Sequence, residues 1–333
     1  MMKDNIEQEL AHIPFQELLE ALQDDEHVLL PHYLYRLSDL PPDELDALQK
    51  IWGQVSIHRR QTLLEDLEHL TETNNLLSFE AIFCFALHDK DALVRFYALR
   101  AIEAFDTNYL VPQFLELLTE DKSIDVRAVT ASILGKYIYR GELDKLDKKT
   151  QRKIEQKLLA IIESGEKQRV RRCALEALGY SPLPEVAEHI TKAYQSEDEE
   201  WVASALFAMG RSLDNCWDEK IISNIHHQNP KVRAEAIRAA GELGLEDTVS
   251  DILRMLDDVP QVREAAIWAL SQIGGEGVEE ALSKLLDEPL TDEEFALIEE
   301  AIQRLPLTKE SSRNDTFGSL FSVEESGFTD DYD

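Results

Sequence analysis

The sequence is poor in the patterns on which most enzymes and metal proteins depend. It has only three cysteines, Cys84, Cys173 and Cys216, with no CxxC pair, and none of its nine histidines is followed by glutamate. It contains no HExxH motif and no phosphate-binding GxxxxGK[ST] or GxGxxG loop. Scattered cysteines of odd number favour free, buried thiols in a reducing compartment. We therefore expect no catalytic residue, no metal site, no cofactor and a cytoplasmic location.

Positive charge and long apolar runs are also scarce. Lysine and arginine number 34 against 66 aspartates and glutamates, which gives a formal net charge of −32. Nucleic acids and anionic membranes are both bound through clustered cations. No run approaches the 18 apolar residues of a membrane span, and MMKDNIEQELAHI lacks the apolar segment of a secretory signal. We expect neither nucleic acid nor a membrane as partner.

What the sequence does contain is one helical pattern that recurs six times. With a valine as position 0, arginine follows at +1, alanine at +4, leucine or isoleucine at +5, an apolar residue at +8 and often glycine at +9, as in NPKVRAEAIRAAGELG around Val232. The copies start at residues 94, 126, 170, 201, 232 and 262, although Trp201 and Val202 replace valine and arginine in the fourth. Positions 0, +4, +5 and +8 share one face of a helix. The glycine lies near the end of the helix, and whether it acts as a cap stays open.

A second amphipathic stretch precedes each copy, joined to it by a short polar turn. Examples are LVPQFLELLTED at 110–121 and LEDTVSDILRML at 245–256. The alternation that is typical of strands is missing. Helix pairs that recur about every 31 residues predict an all-α stack, an α-solenoid.

These repeats resemble HEAT repeats, and most of all the short variety named after phycobilisome lyases. The resemblance covers about residues 78–304 and implies a right-handed α-α superhelix that binds proteins on its concave face. It also supplies the alternative, an accessory subunit of a phycobilisome-lyase-like enzyme that attaches chromophores. HEAT-like hydroxylases bind iron through His–Glu pairs at repeat starts, where this chain has Asp91, Asn229 and Pro260. We do not expect that activity here.

The chain divides into three parts. Residues 78–305 form the repeat array, and residues 1–77, which lack the Val-Arg pair, are predicted to be an N-terminal helical cap of degenerate repeats. Residues 306–333 are predicted to be a disordered acidic tail. Four apolar residues in the tail are spaced like a docking motif, and they are Phe317, Leu320, Phe321 and Phe328. The tail either keeps the chain soluble or folds onto a partner.

The arginine at +1 has a structural interpretation. Its planar group can bind the carboxylates or carbonyls of the turns between helices, such as Asp91, Asp125 or Asp257, and so form a ladder along the stack. The arginines concerned are Arg95, Arg127, Arg171, Arg233 and Arg263.

The positions +2, +3 and +6 are predicted to face outward on the concave surface. Aromatic residues and arginine there are the types that dominate binding energy. The candidates for partner binding are Phe96, Tyr97, Arg100, Arg172, Phe207, Arg238 and Trp268. Phe207, Arg238 and Trp268 hold position +6 in consecutive repeats, and either form a hot spot or pack between adjacent helices. We expect a non-catalytic scaffold or adaptor for a protein or peptide, as a monomer or within a hetero-complex.

The distance between the repeat starts at residues 126 and 170 is longer than the others, at 44 residues. Positively charged residues are concentrated in this part of the chain. Residues 140–172 hold eleven basic and six acidic side chains. This segment is either a solvated surface or a docking site for an acidic segment, which could be the tail of the same chain.

Overall fold

Helices follow one another along the whole described chain. The computed structural model describes residues 13–313, with side chains up to residue 305, and contains no strand within that range. The α-helices are α1 (Phe15–Gln23), α2 (Pro31–Arg36), α3 (Pro42–Trp52), α4 (Ile57–Thr73), α5 (Glu80–Ala86), α6 (Ala92–Ile102), α7 (Val111–Glu120), α8 (Ile124–Glu142), α9 (Lys148–Glu163), α10 (Gln168–Leu178), α11 (Pro184–Tyr194), α12 (Glu199–Ser212), α13 (Asp218–Asn224), α14 (Pro230–Glu242), α15 (Val249–Arg254), α16 (Pro260–Ile273), α17 (Val278–Leu285) and α18 (Asp292–Arg313). Short 3-10 helices lie at Asn108–Leu110, Asn215–Trp217, Glu246–Thr248 and Met255–Asp257.

Capping residues set where many second helices begin. Asp91 accepts hydrogen bonds from the amides of Leu93 and Val94 at 3.0 and 3.1 Å. Ser123 accepts from Val126, and Asn229 from Lys231. Side-chain oxygens at this position satisfy amides that have no partner within the helix. The polar turns seen in the sequence therefore act as helix starts.

The chain forms two compact units, one ending at Val186 and one beginning at Ala187. In the first unit, α4, α6, α8 and α10 pack side by side in chain order, with α5, α7 and α9 each against its own second helix. In the second unit, the corresponding row is α12, α14, α16 and α18. Each unit is thus a stack of helix pairs, with its second helices in one row.

Glycine at +9 lets the second helices approach closely. A Cβ atom on Gly241 would lie 2.8 Å from the Cα of Ala269, and one on Gly210 would lie 2.8 Å from the Cα of Ala239. Each contact joins position +9 of one repeat to position +7 of the next. Because α14 continues past Gly241 to Glu242 and α12 past Gly210 to Ser212, these glycines serve helix packing and not helix termination.

The repeat frame extends into the N-terminal region. In α4, Leu63, Leu64 and Leu67 are buried at positions +4, +5 and +8 when Arg59 takes the place of valine. Arg60 then holds position +1. The sequence pattern missed this repeat because its first position is not apolar.

Two helix boundaries differ from the sequence-based expectation. The long step contains mostly helix, since α8 runs to Glu142 and α9 begins at Lys148. The last helix ends at Arg313, beyond the predicted tail boundary at 306. Phe317, Leu320, Phe321 and Phe328 lie outside the described residues.

The thiols are less buried than expected, because Cys216 is exposed and Cys84 and Cys173 are half-buried.

Candidate functional site on the second-helix face

At the start of three second helices, the arginine at +1 binds two turns at once. Arg95 donates from Nη1 to the carbonyl of Asp89 at 2.7 Å, within its own repeat. Its Nε and Nη2 donate to the two carboxylate oxygens of Asp121 in the next turn, at 2.7 and 2.8 Å. The Asp121 side chain is 4% exposed. This two-pronged geometry suits a guanidinium and no other side chain.

Two further arginines repeat this arrangement. Arg127 donates to the carbonyl of Asp121 at 2.6 Å and to both carboxylate oxygens of Glu166 at 2.8 and 2.9 Å. Arg233 donates to the carbonyl of His227 at 2.7 Å and to Asp258 at 2.9 and 2.6 Å. Hydrogen bonds from Arg127 and Arg233 hold the pKa of Glu166 and of Asp258 below the usual range.

The other two arginines at +1 also bind turns, and Arg60, which the sequence pattern did not include, joins them. Arg171 donates to the carbonyl of Ile162 at 2.7 Å, and Arg263 donates to Glu288 at 2.8 Å. Arg60 donates from Nη1 to one oxygen of the buried Asp89 carboxylate. We call Arg60, Arg95, Arg127, Arg171, Arg233 and Arg263 the arginine ladder.

The carboxylates that accept hydrogen bonds from the arginine ladder are not the ones suggested from the sequence. Asp91 caps α6 and accepts from Gln61, while Asp125 pairs with the exposed Arg169. The carboxylates that the arginines bind belong to the turn of the following repeat, because the side chain reaches across the stack rather than back along its own helix. Asp258, and not Asp257, is the acceptor for Arg233.

In the first unit, the outward positions of α6 form a small cluster. The rings of Phe96 and Tyr97 meet edge to face with centroids 5.9 Å apart, and the Arg100 guanidinium lies 5.8 Å from the Phe96 ring centre. Arg100 also forms an ion pair with Glu68 at 2.7 Å. Burial raises the pKa of Glu68, although Arg100 opposes this. Arg172 lies half-buried on α10, farther along the same row.

In the second unit, three neighbouring helices bring together Phe207, Arg238 and Trp268. Arg211 stacks on the ring of Phe207, with its guanidinium carbon 4.2 Å from the ring centre. Arg238 donates to Glu235 at 2.7 Å. Phe207, Arg238 and Trp268 are each half-buried. We call Phe207, Arg211, Glu235, Arg238 and Trp268 the second-helix patch.

Trp268 packs between adjacent helices, which was one of the two alternatives that the sequence left open. A Cβ on Gly241 would lie 2.8 Å from Cζ3 of Trp268, so the ring packs closely on the preceding second helix. The side chain as a whole is half-buried. The patch is therefore anchored by packing and still offers aromatic surface.

Position +2 faces outward less often than predicted. Ala128, Ala203 and Ala234 hold this position and are at most 2% exposed. Position +3 is also buried in two copies, at Ser204 and Ala265. Only position +6 is at least partly exposed in all six copies.

The described residues contain no cluster of three or more His, Cys, Asp or Glu side chains that is suited to a metal ion. Between residues 13 and 313, no helix has the length and apolar content needed to cross a membrane.

The comparison with protein families shows to which family the chain belongs. The model for HEAT repeats matches residues 111–211 and 219–305. The chain belongs to the HEAT-repeat family. The phycobilisome-lyase-like subtype stays a prediction.

Among known proteins, the chain is similar to a HEAT repeat-containing taxis protein of Halobacterium salinarum, with 29% identity over 140 residues. The match covers 35% of this chain and about a third, 34%, of that relative. Similar solved structures include a designed armadillo repeat protein, at 18% identity and a TM-score of 0.34, covering 59% of this chain and 99% of that one. Another is importin beta, at 13% identity and a TM-score of 0.42, covering 91% of this chain and 48% of that one. These structural likenesses concern the fold alone.

Proposed function

We propose that this HEAT-repeat protein is a non-catalytic scaffold or adaptor in the cytoplasm that binds a protein or peptide on its second-helix face. In the second unit, the binding centre is the second-helix patch. The observation that carries the proposal is the placement of Phe207, Arg238 and Trp268, half-buried, on the consecutive helices α12, α14 and α16. Half-buried aromatic and arginine side chains lose little freedom on binding and contribute large contact areas.

The arginine ladder supports the proposal that structural residues and binding residues occupy different positions of the repeat. Its guanidiniums bind turn carbonyls and carboxylates, so they build the stack and leave recognition to the outward positions. The carboxylate partner of Arg238 lies on the same helix. A ligand carboxylate can compete with Glu235 for this guanidinium, which favours a peptide with an acidic residue next to an apolar one.

The test is affinity capture with the full chain and with Arg238→Ala/Trp268→Ala, followed by mass spectrometry. We expect partners captured by the wild type to be lost or reduced by tenfold or more, since two hot-spot residues are removed. The matched control is Ile222→Ala/Arg254→Ala, which removes an exposed apolar residue and an exposed arginine from the first helices of the same unit.

Equal capture by the wild type and by Arg238→Ala/Trp268→Ala would sink the proposal, provided that circular dichroism shows both folded. Because Trp268 packs on Gly241, the milder variant Arg238→Glu is included. It keeps the packing and reverses only the charge offered to the ligand.

The taxis protein of Halobacterium salinarum suggests a setting in signalling for an adaptor of this kind. The chromophore-attachment alternative would require a tetrapyrrole and a second subunit. Co-purification of a coloured chromophore would favour it over the adaptor.

A further inference from the structure

A groove lies on the first-helix side of the first unit, between the turn after α2, the helices α3 and α5, and the start of α7. It has a volume of about 660 Å³, which lies within the range of ligand-binding sites in proteins. Its apolar surface comes from Leu40, Leu45 and Phe85, which are half-buried, and from Tyr109, which is 63% exposed. None of its lining residues belongs to a second helix. We call it the first-helix groove.

Hydrogen bonds hold the rim of the first-helix groove in place. The amide of Asp39 donates to the carbonyl of Ser78 at 2.8 Å, and the amide of Ser78 donates to Oγ of Ser38 at 2.9 Å. These bonds join the turn after α2 to the start of α5. They keep Asp39 at a φ of 51°, a left-handed conformation that is uncommon outside glycine. Such backbone persists only where its surroundings fix it, and it recurs at ligand sites. The groove is therefore formed before a ligand binds.

Tyr109 is exposed and yet its ring is fixed. Its hydroxyl donates to Oε1 of Glu80 at 2.9 Å. Because the phenolic proton is used in this bond, the thiol of Cys84, with Sγ 3.3 Å from the same oxygen, donates to Tyr109. An aromatic side chain held in this way loses little freedom on binding, and tyrosines are typical of binding hot spots. Tyr109 is therefore the main anchor that the groove offers.

The negative charge of the first-helix groove is not neutralised by a cation. The carboxylates of Asp39 and Glu80 line the groove, and each accepts a hydrogen bond from a neutral hydroxyl, at 3.0 and 2.9 Å. Neither forms an ion pair within the part of the chain that the structure describes, whereas Asp121 of the ladder pairs with Arg95 at 2.7 Å. Of the described residues that line the groove, none is a lysine or an arginine. Apolar surface beside two such carboxylates favours a ligand that joins apolar groups to positive charge.

We propose that the first-helix groove binds a segment of a partner protein in which lysine or arginine stands beside leucine, isoleucine or phenylalanine. The apolar side chains of this segment pack on Leu45, Phe85 and Tyr109, and its cations pair with Asp39 and Glu80. A protein segment suits the groove because α3, α5 and α7 belong to three successive helix pairs. Nucleic acids and anionic lipids do not suit it, because their phosphates would meet two carboxylates. The inference does not rest on the second-helix patch, which lies on other helices.

The test is the selection of binding peptides from a library of random short peptides displayed on phage. The library is first depleted on the variant Glu80→Lys/Tyr109→Ala and then selected on the full wild-type chain, so that peptides that need the groove are kept. We expect these peptides to hold lysine or arginine next to leucine, isoleucine or phenylalanine. A labelled synthetic peptide of this kind should bind the wild type at least tenfold more tightly than the variant in fluorescence anisotropy, since an aromatic anchor and a charge are removed.

The matched control is Glu116→Lys/Tyr139→Ala, which makes the same two changes at exposed residues of the first unit outside the groove. It should bind the peptide as the wild type does. The milder variant Glu80→Gln keeps an acceptor for Tyr109 and removes only the charge. It should weaken binding by about threefold at 0.1 M salt and by less at 1 M, where exposed charges are screened. Circular dichroism checks that each variant is folded.

Selected peptides without basic residues would overturn the proposal, as would a selection that enriches no sequence. A loss of binding in the control variant as large as that in Glu80→Lys/Tyr109→Ala would show a general charge effect and would overturn it too. Light scattering that shows a dimer of the wild type, which Glu80→Lys/Tyr109→Ala dissociates, would assign the groove to a second copy of the chain and overturn binding of a partner protein.

Discussion

The arginine ladder and the exposed cations of α9 use positive charge in opposite ways. We call Lys149, Arg152, Lys153 and Lys157 the α9 stripe. In the ladder, Arg95 donates to a carbonyl and to both oxygens of a nearly buried carboxylate. On α9, Arg152 is exposed and has no ion-pair partner among the described residues. A cation whose bonds are all within the stack contributes to stability, whereas an exposed cation contributes little. Four predictions compare residues that build the stack with residues of its exposed surface.

The largest effect is expected from Arg95→Ala. It leaves the Asp121 carboxylate buried without its partner, and breaking such a pair costs about 3 kcal/mol. Urea unfolding followed by circular dichroism measures the loss in the free energy of unfolding. Arg152→Ala is the control from the α9 stripe and should change this free energy by less than about 0.5 kcal/mol. Equal effects of the two substitutions would show that the ladder is no more structural than the stripe.

A second pair of variants compares glycines of the stack with glycines of the surface. Gly241→Ala places a methyl group 2.8 Å from the Cα of Ala269, which belongs to the backbone and cannot move aside alone. We expect a loss of about 2 kcal/mol, as for overpacked cores. Gly165→Ala meets no heavy atom within 4 Å. Thermal unfolding should show a lower midpoint for Gly241→Ala and an unchanged or slightly higher one for Gly165→Ala.

These residues also show how far the sequence could predict the structure. The helix pairs and their apolar faces follow from the periodicity alone, because burial repeats with the helix. The partners of the ladder could not be predicted, since they depend on how far one repeat is displaced from the next. Arg60 was missed because Arg59 replaces the valine that marks the frame. The assignment of Trp268 to a binding site stays a prediction, and its contact with Gly241 is a property of packing between helices that the sequence could not show.

Acidic pH should weaken the ladder. The pKa values of Glu166 and Asp258 are lowered in the folded chain by Arg127 and Arg233. Their stabilisation is therefore complete above the unfolded values, at about pH 4, and is lost as the pH falls through the lower folded values. The urea midpoint, measured between pH 5 and 2.5, should fall less steeply for Arg127→Ala than for the wild type. An identical slope in the two proteins would contradict the role of Arg127. Arg152→Ala should keep the wild-type slope.

The smallest effect has the opposite sign and concerns the α9 stripe. Lys149→Glu replaces a cation by an anion at the start of α9, which favours the helix dipole and removes a repulsion with Lys153, together about 0.5–1 kcal/mol. We expect this gain in the free energy of unfolding of the full chain, measured by urea unfolding. The absence of any gain would contradict the unfavourable position of Lys149 in the first turn of α9, while the ladder predictions would stand unchanged.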